Sequence, residues 1–271
     1  MLAELVRAMQ GVRVGVLGDP MLDYFHFGHV DRISPEAPAP VFIEDKVDLR
    51  DGGAGNVVAN LAALGCTPIS FFPPAPFTVK HRFLVGSQQI FRIDRDKDHS
   101  QQRLPTREPE PFDVLVISDY GKGWCTHDRC QTYIREARAR KIPIVVDPKG
   151  SDWKKYDGAT VICPNERELV GNWDSWFGTI FHKLGARGLD VIYPDREVFH
   201  YSARARAVFD VTGAGDTVVA VVAAAIGAKG GLKHAAELAM HAAGLVVSQV
   251  GTFPCSAAAL LAELNDGDVN S

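Results

Sequence analysis

Residues 210–217 read Asp210-Val211-Thr212-Gly213-Ala214-Gly215-Asp216-Thr217 and run straight into an almost purely apolar stretch, 218–226. Two glycines one residue apart let the backbone approach a ligand closely, with its N–H groups exposed. The apolar run predicts a buried helix, so those N–H groups lie at a helix N-terminus, where the partial positive charge favours anions. Asp216 stands in the middle of this anion site. A bound phosphate would repel a carboxylate there unless the carboxylate has a task. The task that fits is to accept a proton from a hydroxyl attacking that phosphate. Asp is also a preferred helix cap, and read alone the motif favours the cap. The rest of the chain reverses that preference.

The chain has 271 residues, of which 46% are hydrophobic and 23% charged, which suits one α/β domain spanning 1–271. The net charge is −4, so nothing favours a nucleic-acid partner. The cysteines, Cys66, Cys125, Cys130, Cys163 and Cys255, are odd in number and no pair has Cys-x-x-Cys spacing. A zinc site or a disulfide framework is not expected, and a reducing cytoplasm is the default compartment. The first ten residues are a short amphipathic stretch with Glu4 and Arg7, unlike a secretory signal. The longest apolar run, 218–227, is about half the length needed to span a bilayer, so no membrane partner is expected.

Residues 12–17 read as a buried strand delivering Asp19 at its C-terminal end. Residues 25–50, with Pro35, Pro38 and Pro40, suggest an extended excursion from the main sheet. A second strand-rich stretch, 78–94, looks like a hairpin turning near Gly86-Ser87 and could pair with the first to form a small lid sheet. Between them, Gly52-Gly53-Ala54-Gly55-Asn56 opens a helix. Strands at 114–118, 143–146 and 159–163 end in Asp119, Asp147 and Asn165, with a helix at 127–140. A hairpin at 189–201 and two helices, one starting at Asp216 and one covering 233–248, follow. Strands alternating with helices predict a doubly wound, mainly parallel sheet with helices on both faces. In such sheets the ligand crevice lies outside the carboxyl ends of the strands, so the polar residues there are expected to converge on one site.

Rival nucleotide fingerprints fail. Neither Gly53-Ala54-Gly55 nor Gly213-Ala214-Gly215 has the third glycine of Gly-x-Gly-x-x-Gly, since 58 and 218 are Val, and there is no P-loop. What is present resembles the ribokinase-like (PfkB) family of sugar kinases at two signature regions. One is Gly52-Gly53-Ala54-Gly55-Asn56-Val57-Val58-Ala59-Asn60-Leu61-Ala62-Ala63-Leu64-Gly65; the other is the 210–217 motif. Further stretches resemble the heptose-7-phosphate kinase branch of that family. They are Gly18-Asp19-Pro20-Met21-Leu22-Asp23, Arg32-Ile33-Ser34-Pro35-Glu36, Gln88-Gln89-Ile90-Phe91-Arg92-Ile93-Asp94, Asp119-Tyr120-Gly121-Lys122-Gly123 and Asp147-Pro148-Lys149.

The resemblance implies an ATP- and Mg²⁺-dependent sugar kinase acting on the anomeric hydroxyl of D-glycero-D-manno-heptose 7-phosphate. It implies Asp216 as general base and Gly213, Ala214 and Gly215 as the γ-phosphate anion hole. Asp19, Asp23, Gly53 and Asn56 would hold sugar hydroxyls. Lys80, Arg82, Arg92 and Lys122 are candidates for the sugar 7-phosphate. Asn165 and Glu168 would organise Mg²⁺ through water. Lys149 would partner the nucleotide phosphates, and Gly185 and Gly188 belong to the nucleotide loop. Asp210 and Thr212 sit where family members often bind a monovalent cation such as K⁺. Apolar residues 41–43 and 83–85 suggest a homodimer formed through the lid.

Compared with the family, the chain is short after residue 72, between Asp98 and Phe112, and between Asn172 and Gly185, where a helix and a strand leading to the nucleotide loop are expected. Lys183 and Leu184 stand in place of Thr-Arg, and Met240 in place of an Asn near the adenine. Another sugar kinase of the family, or a degenerate non-catalytic binding homologue, are the alternatives.

Overall fold

The computed structural model describes residues 1–103, 110–170, 176–204, 208, 210–248 and 253–268. The chain opens with α1 (Leu2–Ala8) and β1 (Arg13–Gly18), sends out β2 (Pro20–Ile33) and β3 (Pro40–Gly53), and returns through α2 (Ala54–Ala63) to β4 (Thr67–Phe71). A second excursion forms β5 (Thr78–Val85) and β6 (Gln88–Arg95). Alternation resumes with β7 (Val114–Ser118), α3 (His127–Ala139), β8 (Ile144–Asp147), β9 (Val161–Ile162), α4 (Glu166–Leu169) and β10 (Thr179–Lys183). A hairpin of β11 (Leu189–Ile192) and β12 (Val198–Tyr201) precedes α5 (Ala214–Gly227), α6 (Leu232–Val246) and α7 (Ala257–Asp268).

The main sheet has eight strands in the order β12-β11-β10-β9-β8-β7-β1-β4. From β4 to β10 the pairings are parallel, and at one edge the β10–β11 and β11–β12 pairings are antiparallel. The central strands are apolar on both faces, as a sheet covered on both sides requires. Alternate residues divide between two cores. Val14, Val116, Val145 and Phe181 pack with α2, α5 and α6, while Leu17, Ile117, Val146 and Ile180 pack with α3 around Trp124 and Tyr156. Helix α5 is buried from Asp216 to Ala225, so the apolar run following the glycine motif forms the centre of the first core.

The second sheet has four strands in the order β3-β2-β5-β6. Its strands run further than 25–50 and 78–94 allowed: β2 begins at Pro20, immediately after β1, and β3 continues to Gly53. The sheet therefore grows directly out of the two segments that carry Asp19 and the Gly52-Gly53 motif. Register assigns its faces. Asp23, Lys80 and Asp94 align across β2, β5 and β6, as do Phe25, Arg82 and Arg92, on one charged face. Tyr24, His81 and Ile93, and His26, Phe83 and Phe91, align on the other, where the rings stack.

The strand expected to be lost between Asn172 and Gly185 is present as β10, paired with β9 and β11. Its sequence, Thr-Ile-Phe-His-Lys, is apolar only at its centre, which hid it. The shortened stretches themselves fall partly on residues 104–109 and 171–175, outside the described residues. Among the described residues no helix is long and apolar enough to cross a membrane.

Candidate active site

Gly213 caps α5 with φ of +81°, a left-handed conformation that glycine adopts without steric cost. No side chain caps this helix end. Asp216 is instead on the first turn with 5% exposure. Its Oδ2 accepts a 2.7 Å bond from Asn56 Nδ2 and its Oδ1 accepts one from the Tyr120 hydroxyl. Asp216 is thus no helix cap: its carboxylate is aimed by two donors from α2 and from the loop after β7. Burial pushes its pKa up, and the bonds from Tyr120 and Asn56 and the charge of Lys183 oppose that rise. Burial and Asp216 itself raise the Tyr120 phenol, so it remains a donor.

Asn56 is held in turn. Asn60 Nδ2 donates to the Asn56 backbone oxygen and to Asn56 Oδ1, at 2.9 and 3.2 Å. Asn60 Oδ1 accepts from Thr217 Oγ1 at 3.1 Å and from the Cys255 amide at 2.9 Å. One buried amide thereby joins α2, α5 and the segment before α7. Gly53 at the head of α2 has φ of +56°, and a Cβ there would lie 2.6 Å from the Asp19 carbonyl oxygen.

Asp19 is fully buried. Its carboxylate accepts from the backbone N–H groups of Tyr120 and Trp124, at 2.9 and 3.0 Å, and more distantly from that of Lys122. Burial raises its pKa and these bonds oppose the rise. Asp119 is turned away, toward Gly121, Lys155 and Tyr156. Together with Cys125 these two form a metal-like cluster, but the carboxylates are already taken up by N–H, ammonium and hydroxyl donors. So of the aspartates at the strand ends, Asp19 and Asp119 shape the 120–124 loop, while Asp147 faces the anion site.

Asp23 is 3% exposed and paired with Arg82 Nε at 3.0 Å. Arg92 is held by Asp94 through two bonds of 2.7 and 2.9 Å, and Lys122 by Asp96 at 2.7 Å. The charged lid face is therefore largely neutralised internally. Lys80 differs. It lies between Asp23 and Asp94 in register, and burial followed by the charges of Arg82 and Arg92 lowers its pKa against the pull of Asp23 and Asp94.

On the other side, Asn165 caps α4 and forms a capping box with Glu168, whose Oε2 accepts from the Asn165 amide at 3.0 Å. Glu168 Oε1 accepts from Lys149 Nζ at 3.1 Å. Asp210 Oδ1 accepts from the Thr212 amide at 2.8 Å. Gly185 and Gly188 bracket a 3₁₀ turn and, with Met240, Val211 and Val247, line an apolar cavity of about 310 Å³ that Gly215 and Lys183 also border. Lys183 ends β10, and its Nζ lies 2.6 Å from Asp147 Oδ1.

Residues 75–259 match the model of the pfkB family of carbohydrate kinases. The chain belongs to this family. It is 38% identical over 293 residues to the bifunctional protein HldE of Pseudomonas fluorescens, covering 89% of this chain and 61% of the relative. It is 36% identical to the HldE of Rhodospirillum rubrum, covering 100% of this chain and 66% of that protein. The chain thus spans about three-fifths of the first of these relatives and 66% of the second. Its fold is that of ribokinase from Arabidopsis thaliana complexed with ribose and ATP (TM-score 0.70, 17% identity, 94% of this chain and 99% of that one). It is likewise that of phosphofructokinase-2 from Escherichia coli in complex with potassium (TM-score 0.71, 15% identity, 94% and 100%).

For a pfkB-family kinase the arrangement is chemically coherent. A carboxylate aimed by two donors sits beside a helix N-terminus, between a charged lid face and an apolar cavity. Sequence reasoning missed Tyr120, Asn60 and Lys183. Tyr120 lay within the Asp119-Tyr120-Gly121-Lys122-Gly123 stretch, where its position after a strand end was the available signal. Lys183 was visible only as a departure from the family.

Proposed function

We propose that this chain phosphorylates the anomeric hydroxyl of D-glycero-D-manno-heptose 7-phosphate with ATP, giving the 1,7-bisphosphate. The observation that carries the reading is Asp216, held by Asn56 and Tyr120 at the head of α5 beside the Gly213–Gly215 amides. In this reading the sugar hydroxyl gives its proton to Asp216 as its oxygen attacks the γ-phosphorus and ADP leaves. Ionised Asp216 is the competent base, and the two donors favour that form. The amides of Gly213, Ala214 and Gly215 would carry the phosphoryl charge.

The nucleotide base would occupy the apolar cavity behind Gly185 and Gly188, with Lys149 toward the phosphates. Both Glu168 oxygens already accept protein donors. That fits Asn165 and Glu168 to an outer-sphere role, in which they orient water on Mg²⁺ rather than ligate it directly. Mg²⁺ would neutralise phosphate charge. Asp23, Gly53 and Asn56 would face the sugar, with Asp19 acting through the loop it braces. Lys80 is the lid cation best placed for the 7-phosphate, because Arg82, Arg92 and Lys122 already hold carboxylates. The resemblance of the motifs to heptose-7-phosphate kinases supports the choice of sugar. Asp210 and Thr212 would hold a monovalent cation, which potassium-dependent turnover would reveal. The aromatic outer face of the lid would form a homodimer in the cytoplasm.

The test is ATP turnover with a panel of sugars. Heptose 7-phosphate should exceed unphosphorylated heptose and ribose by at least about tenfold in kcat/KM, the counterpart of one charge-assisted contact. Equal turnover of all three refutes the sugar assignment, and no turnover of any refutes the kinase assignment.

A further inference from the structure

Lys183 is a largely buried ammonium that lines the apolar cavity beside Gly215. Its Nζ sits 3.5 Å from where a Cβ on Gly215 would lie, against the backbone of the anion hole. Its own backbone is fixed from both sides: its N–H donates to the Pro164 carbonyl at 2.8 Å in a parallel bridge with Asn165, and it pairs with Leu189 of β11. Its side chain is held by Asp147 at the end of β8, on the strand two places away in the sheet. Two strand ends thus deliver one cation to the place where helix α5 presents its first amides.

A buried ion pair contributes little to stability relative to an apolar pair of the same volume. Stability alone therefore gives no reason for a lysine here. Charge does. The charges of Asp216 and Glu168 both push the Asp147 carboxyl up, so an incoming polyphosphate enters a site already rich in carboxylates. Lys183 is the cation buried among them.

We propose that the Lys183 ammonium contacts the terminal phosphates of the nucleotide seated at Gly213–Gly215, with Asp147 as the positioning residue that holds it there. The proposal rests on the kinase reading but not on the identity of the sugar. Lys183 supplies charge and hydrogen bonds, not a proton. Burial acts to deprotonate it, but Asp147, Cys163 and Glu168 together outweigh burial and keep the ammonium charged. Asp147, in turn, is pushed up to about 6 by burial despite Lys183.

The experiment is calorimetric titration of ATP, without sugar, into three proteins: wild type, Lys183→Gln, and the double variant Lys183→Met with Asp147→Asn. The glutamine keeps a donor for Asp147, and the double variant leaves no buried charge unpaired. Both should lose on the order of 10–100-fold in ATP affinity, as removal of a charge-assisted phosphate contact does. Adenosine, measured by competition, should bind all three equally. Lys183→Arg should recover most of the ATP affinity. A folded double variant that binds ATP within about threefold of wild type overturns the proposal. So does an equal loss of adenosine affinity, which would mark a distorted cavity. Wild type that binds no ATP overturns both this proposal and the kinase reading. A correct ATP pattern without heptose 7-phosphate turnover sinks only the sugar assignment.

Discussion

The head of α5 and the lid sheet face the same space but are built on opposite plans. Around α5 the central polar groups are enclosed and aimed. Asp216, Asn56, Asn60 and Thr217 are all buried, and each has a named partner. In the lid, β6 is exposed along its whole length, and its Arg92 is paired with Asp94 of the same strand. Chemistry that depends on preorganised donors belongs to the first region, since such donors need no reorganisation as the reaction proceeds. In the proposed reading, choice of sugar and association between chains would belong to the second.

If that division is right, the largest effect comes from the α5 side. Asp216→Asn should lower kcat by about 10²–10⁴-fold, the range for losing a general base, with ATP affinity and melting temperature largely retained. The structure sharpens this expectation, because Asp216 caps nothing and its removal costs no helix end. A kcat within about threefold of wild type would sink the role of Asp216.

Lys80→Met tests the lid. It should raise KM for the sugar phosphate by about 10–100-fold, leave kcat largely intact, and change nothing for an unphosphorylated sugar. If kcat falls with KM unchanged, the lid takes part in chemistry and the division fails.

Tyr120→Phe should lower kcat about tenfold, a single charge-assisted bond being worth that much, and should also move a pH limb. Burial already raises Asp216, and the Tyr120 bond opposes that. Without the bond the carboxyl rises further, so the acid limb of the kcat profile should shift to higher pH. An unshifted limb would separate Tyr120 from the base.

Smaller effects concern the outer face of the lid. Phe91 and Ile93 are each 44% exposed there. Sedimentation should show a dimer for wild type and a monomer for Phe91→Lys, with catalysis at one site little changed; a monomeric wild type would break this part of the comparison. Finally, burial, and then His26 and Arg95, hold His81 below the ordinary imidazole value. The unfolded chain then binds a proton more readily than the folded one. Stability should therefore decline as pH falls below about 6.5 and level off beneath the folded value. Melting temperatures of His81→Gln should show a shallower decline over the same pH range.

What the sequence disclosed follows the same division. The strands of the main sheet were readable because they are apolar runs ending in Asp19, Asp119, Asp147 and Asn165, and the sequence placed those ends at one edge. It could not say which way each carboxylate turns. Asp119 turns to Lys155 and Tyr156, a choice made by residues over 30 positions away. The lid hairpin and its turn were legible from alternation. The internal pairing of Arg92 with Asp94 and of Lys122 with Asp96 was not, because it depends on rotamers and on where the strand leaves the sheet. Lys183 and β10 escaped notice for a related reason: a histidine and a lysine at a strand's end read as surface until the neighbouring Asp147 is in place.

The Asn60 amide carries a consequence for how such a chain can change over time. The span from the sugar side to the phosphate side is fixed by a path of four side chains, Asn60 to Asn56 to Asp216 and Asn60 to Thr217, crossing two adjacent helices. None of it passes through the sheet margins or the loops beyond β4 and α4. Material can be trimmed from that periphery without altering the gauge of the site, much as a bridge keeps its span when its approaches are shortened. The stretches that are short relative to the family, after residue 72 and before β10, lie outside that path.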